Sequence, residues 1–337
     1  MCKSKSEGGG RCEYADALAN VRHKTRSKFK NLSPYKADEK VEAALEIWHK
    51  ENPELTKAHL PVSQPFQVPA KPKPIPSDLL AMFTSSRTEP VTGFTVENRE
   101  AHTKKLHEEY QTLQEVLTKD ESTSLLRYAM NAYEPVNKCL RRKGFTQLLK
   151  NSAWKVETVK KVIQNMDSAM TKATMTENPR KLFRFFKVPT GITPGEYIDR
   201  YLKTGEGFKE KGFMSTTADP EFIMAALYKA NKGTKNSKYI VMEILSKRGA
   251  SLQSEPVGRS GDIQSLEKEV LLPRNSQFRI AGVRKSQRFE FASDRRDLNN
   301  NYFNHYSDSS YKSYGHFKKG ERMNFPLVQM VDEDLIK

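Results

Sequence analysis

Three cysteines (Cys2, Cys12 and Cys139) are too few to staple a chain of 337 residues. A disulfide framework is therefore excluded, and a reducing working compartment fits. The seven histidines are scattered. Neither His-Glu-x-x-His nor Cys-x-x-Cys occurs, so the chain offers no zinc spacing and no metal is expected. No apolar run reaches the roughly 18 residues of a membrane span, and no signal-peptide core follows the basic start Met1-Cys2-Lys3-Ser4-Lys5. The expectation is a soluble chain without a transmembrane segment; export through a disordered N-terminal address would escape this reading. Phosphate loops are missing too. There is no Gly-x-Gly-x-x-Gly and no Walker sequence, and Gly258-Arg259-Ser260-Gly261 is too short a match to either. Without Gly-x-Ser-x-Gly, a hydrolase nucleophile elbow is excluded as well.

What is present in excess is positive charge. Lys and Arg number 57 against 41 Asp and Glu, a formal net charge of +16. Such a surface favours acidic partners: nucleic acid, an anionic membrane face or an acidic protein. The basic residues are dispersed, with short clusters at Arg141-Arg142-Lys143 and between His23 and Lys30. Direct nucleic-acid contact therefore stays open as an alternative to docking an acidic or nucleic-acid-associated target protein. Oligomeric state is not readable from the sequence.

The chain divides by texture. Residues 1–60 form a small region, polar and glycine-rich at first, then apolar at helical intervals from Asp16 to His49. Residues 61–77 carry prolines at 61, 65, 69, 72, 74 and 76, which read as an extended linker, a Pro-x-x-Pro ligand being the other reading. Residues 78–290 read as one α+β domain, with a helical part over 97–170 and a sheet core over 180–283. Asp120 or Ser122 is expected to cap a helix that Pro135 kinks, and Asp219 and Pro220 open a short helix to Lys229. Strands are expected at Lys181–Val188, Tyr239–Ile244, Glu269–Leu272 and Phe278–Ile280. Residues 291–337, poor in aliphatics, are expected to be a polar tail, with a return of Phe325-Pro326-Leu327-Val328 to the body as the other reading.

Three separated segments could carry chemistry. Arg184 sits inside the apolar strand Leu182-Phe183-Arg184-Phe185-Phe186, where a buried guanidinium needs an anion or a carboxylate. An edge-strand arginine facing water is the plainer alternative. Ser215, Thr216 and Thr217 follow the Gly212-Phe213-Met214 passage; short hydroxyls can orient a carboxylate. Thr217 also reads as helix-capping grammar. Glu267 and Glu269 lie one residue apart, so an extended backbone would aim both acids to one side. A carboxylate beside a ribose can stabilise an oxocarbenium-like centre, and its neighbour can orient the nucleophile.

Arginine on the first core strand, an aromatic-x-Ser-Thr-Ser/Thr strand and a late Glu-x-Glu resemble the mono-ADP-ribosyltransferases. The narrower resemblance is to the Arg–Ser–Glu branch of bacterial toxins, secreted effectors and phage transferases. Tyr128 to Leu140 is similar to that branch's Tyr…Asn…Leu-Arg helix through Tyr133, Asn137, Leu140 and Arg141. The resemblance implies a helical N-terminal part followed by a mixed split-sheet core, and NAD as co-substrate. It gives Arg184 the NAD phosphate and nicotinamide-ribose region, and puts Ser215 and Thr216 beside the dinucleotide. It further implies that Ser215 braces Glu269, that Glu269 binds the ribose hydroxyl, and that Glu267 engages an arginine acceptor. Gly258 to Leu266 would meet the target, and Gly233 to Ser237 would close over nicotinamide. Two departures stand out: Phe185 where a glycine is usual, and Thr217 for the last serine. Delivery by a bacterium into a host cell, or a cytoplasmic role if phage-encoded, follows from the same resemblance.

Overall fold

The computed structural model describes residues 73–83, 89–141, 149, 154–173, 175–189, 191–230, 238–252, 268–295 and 317–336, with scattered positions between 20 and 51. Glu267, the loops Gly258–Leu266 and Gly233–Ser237, and most of the proline-rich stretch lie outside the described residues.

A short helix α1 (Ser77–Met82) precedes the two-residue strand β1 (Val91–Thr92). Four helices then form one layer: α2 (Val96–Val116), α3 (Lys119–Arg127), α4 (Tyr133–Arg141) and α5 (Val156–Lys172). Their starts follow from local chemistry. Thr95 Oγ1 accepts from Asn98 N at 3.4 Å. Thr118 and Glu121 cap each other reciprocally ahead of α3, which satisfies two otherwise orphaned amides. The α3 cap is therefore Thr118, not the expected Asp120 or Ser122. Between α3 and α4 the helix widens into a π-turn over Tyr128–Ala132. Pro135 cannot donate to the carbonyl four residues back and its ring crowds that position. A π-turn in the preceding turn is one of the ways a helix absorbs such a break. A widening ahead of Pro135 stands where a kink was expected.

The remainder is one curled, mixed sheet. Its strands are β2 (Arg180–Lys187), β3 (Gly207–Lys209), β4 (Met214–Thr217), β5 (Tyr239–Ser246), β6 (Ala250–Ser251), β7 (Glu269–Leu272), β8 (Gln277–Glu290) and β9 (Arg322–Asp332). The order is β1-β8-β9-β5-β2-β4-β7-β6, with β3 added to β8. Helices α6 (Pro194–Tyr201) and α7 (Pro220–Ala230) connect strands. The expected α+β class holds, with helices before sheet. The sheet is also split. β2 pairs with β5 along its whole length, from Arg180↔Ser246 to Lys187↔Tyr239, but meets β4 through one bridge, Phe183↔Thr217.

One expectation fails. Residues 322–332, assigned to a polar tail, are an interior strand: β9 runs parallel to β5 on one side and antiparallel to β8 on the other. Of this stretch only Phe325-Pro326-Leu327-Val328 reads in the sequence as returning to the body, and its proline cannot donate to a ladder. The pairing with β8 slips between Arg284 and Gln287, opposite Pro326, and pairing with β5 begins only at Leu327. Proline thus occupies the bulge, and Leu327 to Val331 after it is buried.

Alternate residues of the strands feed different cores. Leu182, Met242, Val270 and Leu272 pack in one cluster, Phe183, Val241, Leu227 and Leu327 in a second. Phe213 and Leu271 join Leu125, Val136, Val159 and Met166 in a third, which fixes the helical layer on the β4–β7–β6 side of the split. That contact positions the site.

Candidate active site

Where β2 and β4 part, Arg184 bridges the gap. Its Nη1 donates to the Ser215 carbonyl at 2.9 Å. The arginine is half-buried, and burial lowers its pKa without bringing deprotonation within reach, while Glu210 opposes the shift. On the far side of β4, Ser215 pairs with Leu271 of β7, which puts Glu269 diagonally across on the same face. Ser215 Oγ donates to Glu269 Oε1 at 2.5 Å. Glu269 is buried, and that burial pushes its pKa up; the Ser215 hydrogen bond and the Arg184 charge only partly counter it. The structure brings Arg184, Ser215 and Glu269 together through two hydrogen bonds.

Thr216 does not join them. Its side chain points the other way from Ser215, as strand alternation requires, and Oγ1 donates to the Val270 carbonyl at 2.5 Å. Thr217 is also buried; its Oγ1 accepts from Asp219 N at 3.0 Å, which is the capping role read as its alternative. Asp219 Oδ1 in turn accepts from Glu221 N at 3.0 Å at the start of α7. Phe185 packs edge-on against Tyr239, centroids 5.5 Å apart, beside the second core, so its ring is used in packing.

Support for β4 comes from groups to which sequence reasoning gave no role. Tyr128 Oη and Asn137 Nδ2 both donate to the Phe213 carbonyl, at 3.2 and 3.1 Å, and Asn137 Nδ2 also reaches Tyr128 Oη at 2.8 Å. Burial raises the Tyr128 pKa, so the phenol remains a donor. Gly212 lies against this amide: a Cβ there would come 2.5 Å from Asn137 Oδ1, which explains the glycine. Arg141 Nε pairs with Glu210 Oε1 at 2.9 Å. The signal available in the sequence was a tyrosine and an asparagine inside an otherwise apolar helix face, since buried polar groups demand partners.

A buried carboxylate beside a hydroxyl and a guanidinium, at the rim of a split sheet, can hold a sugar hydroxyl and balance developing positive charge. The comparisons bear on which sugar. Residues 106–303, more than half of the chain, match the family model described as ADP-ribosyltransferase exoenzyme. This chain belongs to that family. ADP-ribosyltransferases use NAD as co-substrate, and the expected family resemblance is thereby met. No curated protein matches the chain by sequence. Solved structures with a similar course include the Vis toxin of Vibrio splendidus, 14% identical, TM-score 0.45, covering 74% of this chain and 89% of that one. The C2-I component of the Clostridium botulinum C2 toxin is 16% identical, TM-score 0.43, covering 68% of this chain and 46% of that one. Plx2a of Paenibacillus larvae is 18% identical, TM-score 0.42, covering 72% and 99%. Among the described residues no helix is long and apolar enough to cross a membrane.

Proposed function

We propose that this ADP-ribosyltransferase moves the ADP-ribosyl group of NAD to an arginine side chain of a target protein, releasing nicotinamide. The observation that carries the reading is the 2.5 Å hydrogen bond from Ser215 Oγ to Glu269 Oε1, with Arg184 fastened to the same serine's carbonyl. Ser215 holds the carboxylate where the nicotinamide ribose would lie, and Glu269 accepts the ribose hydroxyl. As the glycosidic C–N bond breaks, its electron pair leaves with nicotinamide and positive charge grows on the sugar. A carboxylate stabilises that charge more as it develops, so its effect falls on the transition state. Arg184 neutralises the phosphate side of NAD.

The acceptor assignment rests on Glu267, two residues before Glu269. Its carboxylate would orient a guanidinium and take the proton that the attacking nitrogen gives up. The net charge of +16 favours an acidic or nucleic-acid-associated target. Membership among exoenzymes favours delivery into a host cell.

The test is incubation of the purified chain with labelled NAD and host lysate, with Glu269→Gln and Glu267→Gln alongside. Label on protein arginines from the unaltered chain, lost in Glu269→Gln, is expected. Glu267→Gln should impair transfer more than NAD hydrolysis. Hydrolysis alone would make the chain an NAD glycohydrolase, and label on serine, threonine, cysteine or a nucleic-acid end would overturn the arginine assignment. Neither label nor nicotinamide release would overturn the reading entirely and favour a basic nucleic-acid-binding module.

A further inference from the structure

Lys268, the middle residue of the Glu-x-Glu stretch, lies in left-handed backbone at φ 44°, a conformation that costs a non-glycine residue on the order of 1 kcal/mol or more. Glycine would adopt it freely. A lysine there must return something through its side chain.

That side chain goes inward. Lys268 is 2% exposed, and its Nζ donates to Asp219 Oδ2 at 3.0 Å. The same oxygen accepts from Arg295 Nη1 at 3.0 Å. Arg295 also reaches Glu221 Oε2 at 2.5 Å, where Arg99 Nη2 donates at 3.0 Å, and Ala292 N donates to Glu221 Oε1 at 2.7 Å. Gly93 borders this cluster, where a Cβ would collide with the Glu221 carboxyl. The main chain adds one bond, from Ala218 N to the Lys268 carbonyl at 3.2 Å. Lys268 is thus tied by backbone and side chain to the residues immediately after Thr217, the partner of Glu269 across the ladder.

We propose that Lys268 is a positioning residue: its buried ammonium, seated on Asp219, fixes the turn from which Glu269 enters β7 and so sets how that carboxylate meets Ser215. An apolar anchor would bury as well but would not specify direction; an ion pair with a second cation behind it does. The inference deepens the transfer reading above and rests on it.

The experiment compares Lys268→Met, Asp219→Asn and the double variant with the unaltered full chain. Three quantities are measured: the thermal midpoint, kcat and KM for NAD turnover, and the titration of the Glu269 carboxyl by carbon NMR. Lys268→Met should lower the midpoint and cut kcat by about 10- to 100-fold with KM for NAD changed by less than about 3-fold. The double variant removes both members of the Lys268–Asp219 pair and leaves Arg295 on Glu221, so its midpoint should rise above that of Asp219→Asn while kcat stays low. Recovery of kcat in step with the midpoint would mean a merely structural lysine and overturn the proposal. So would a Lys268→Met enzyme with unaltered kcat. Absence of NAD turnover in the unaltered chain would overturn the transfer reading instead. The Glu269 titration then decides the seat alone: displacement in Lys268→Met supports it, and an unchanged curve overturns it.

Discussion

Glu269 and Asp219 stand within a few residues of each other along one short ladder, both sealed from water, and burial acts on them with opposite outcomes. For both, loss of hydration is the largest influence and disfavours the charged form. Asp219 nevertheless stays ionised far below the usual carboxylate range, because Lys268 and Arg295 each lie 3.0 Å away. Glu269 has a neutral hydroxyl at 2.5 Å and no ion pair among the described residues, and its pKa is raised. A carboxylate enclosed by cations is committed to the fold. One braced by a single hydroxyl keeps its charge available for a substrate, at some cost in stability.

The largest expected effect comes from removing that available charge. Glu269→Gln should lower ADP-ribosyl transfer by about 10³-fold or more, measured with labelled NAD. Its folded-state pKa is raised, so Glu269 favours folding below the unfolded value and that contribution fades as pH rises through the folded one. Glu269→Gln should therefore be at least as stable as the unaltered chain at pH 7. A large drop in its denaturation midpoint would break the comparison.

Asp219→Ala tests the other partner and should do the reverse. Lys268 and Arg295 would lose a buried counter-charge, which costs roughly 3–5 kcal/mol in urea denaturation. The sign in pH is also opposite. A depressed carboxyl contributes stability above its unfolded pKa and loses it as pH falls through the folded value, so the unaltered chain should weaken progressively below about pH 4. Asp219→Ala should show a shallower acid limb.

How much of this contrast could be read in advance differs between its two halves. The meeting of Glu269, Ser215 and Arg184 was legible because strand alternation and the order of three short motifs carry it. The Asp219 cluster was not, because Arg99, the Asp219–Glu221 turn, Lys268 and Arg295 come from four stretches far apart in the chain, and Asp219 read only as the opening of a helix. The helices and inner strands were visible in their periodicity. β9 was glimpsed only as a return of Phe325 to Val328; the place of Pro326 opposite a bulge is a property of the pairing with β8 and not of the local sequence. Thr118 was overlooked as a cap because Asp120 and Ser122 are equally good capping residues a short step later.

A smaller effect is expected from Ser215→Ala. One hydrogen bond is worth about 1–1.5 kcal/mol, so transfer should fall roughly 10-fold with folding intact. That bond lowers the Glu269 pKa, so its loss should raise it further and move the acid limb of the kcat–pH profile upward. A profile displaced downward would mean that the serine does not donate to the carboxylate during turnover.

The smallest effect separates two adjacent hydroxyls that look equivalent in sequence. Thr216 was expected beside the dinucleotide, yet its Oγ1 is spent on the Val270 carbonyl within the ladder. Thr216→Val keeps the shape and removes only that bond. The KM for NAD should stay within about 2-fold of the unaltered value, while stability falls by about 1 kcal/mol. If KM rises instead and stability is unchanged, Thr216 turns toward substrate when NAD binds, and the division between reactive and structural hydroxyls along β4 lies one residue further on.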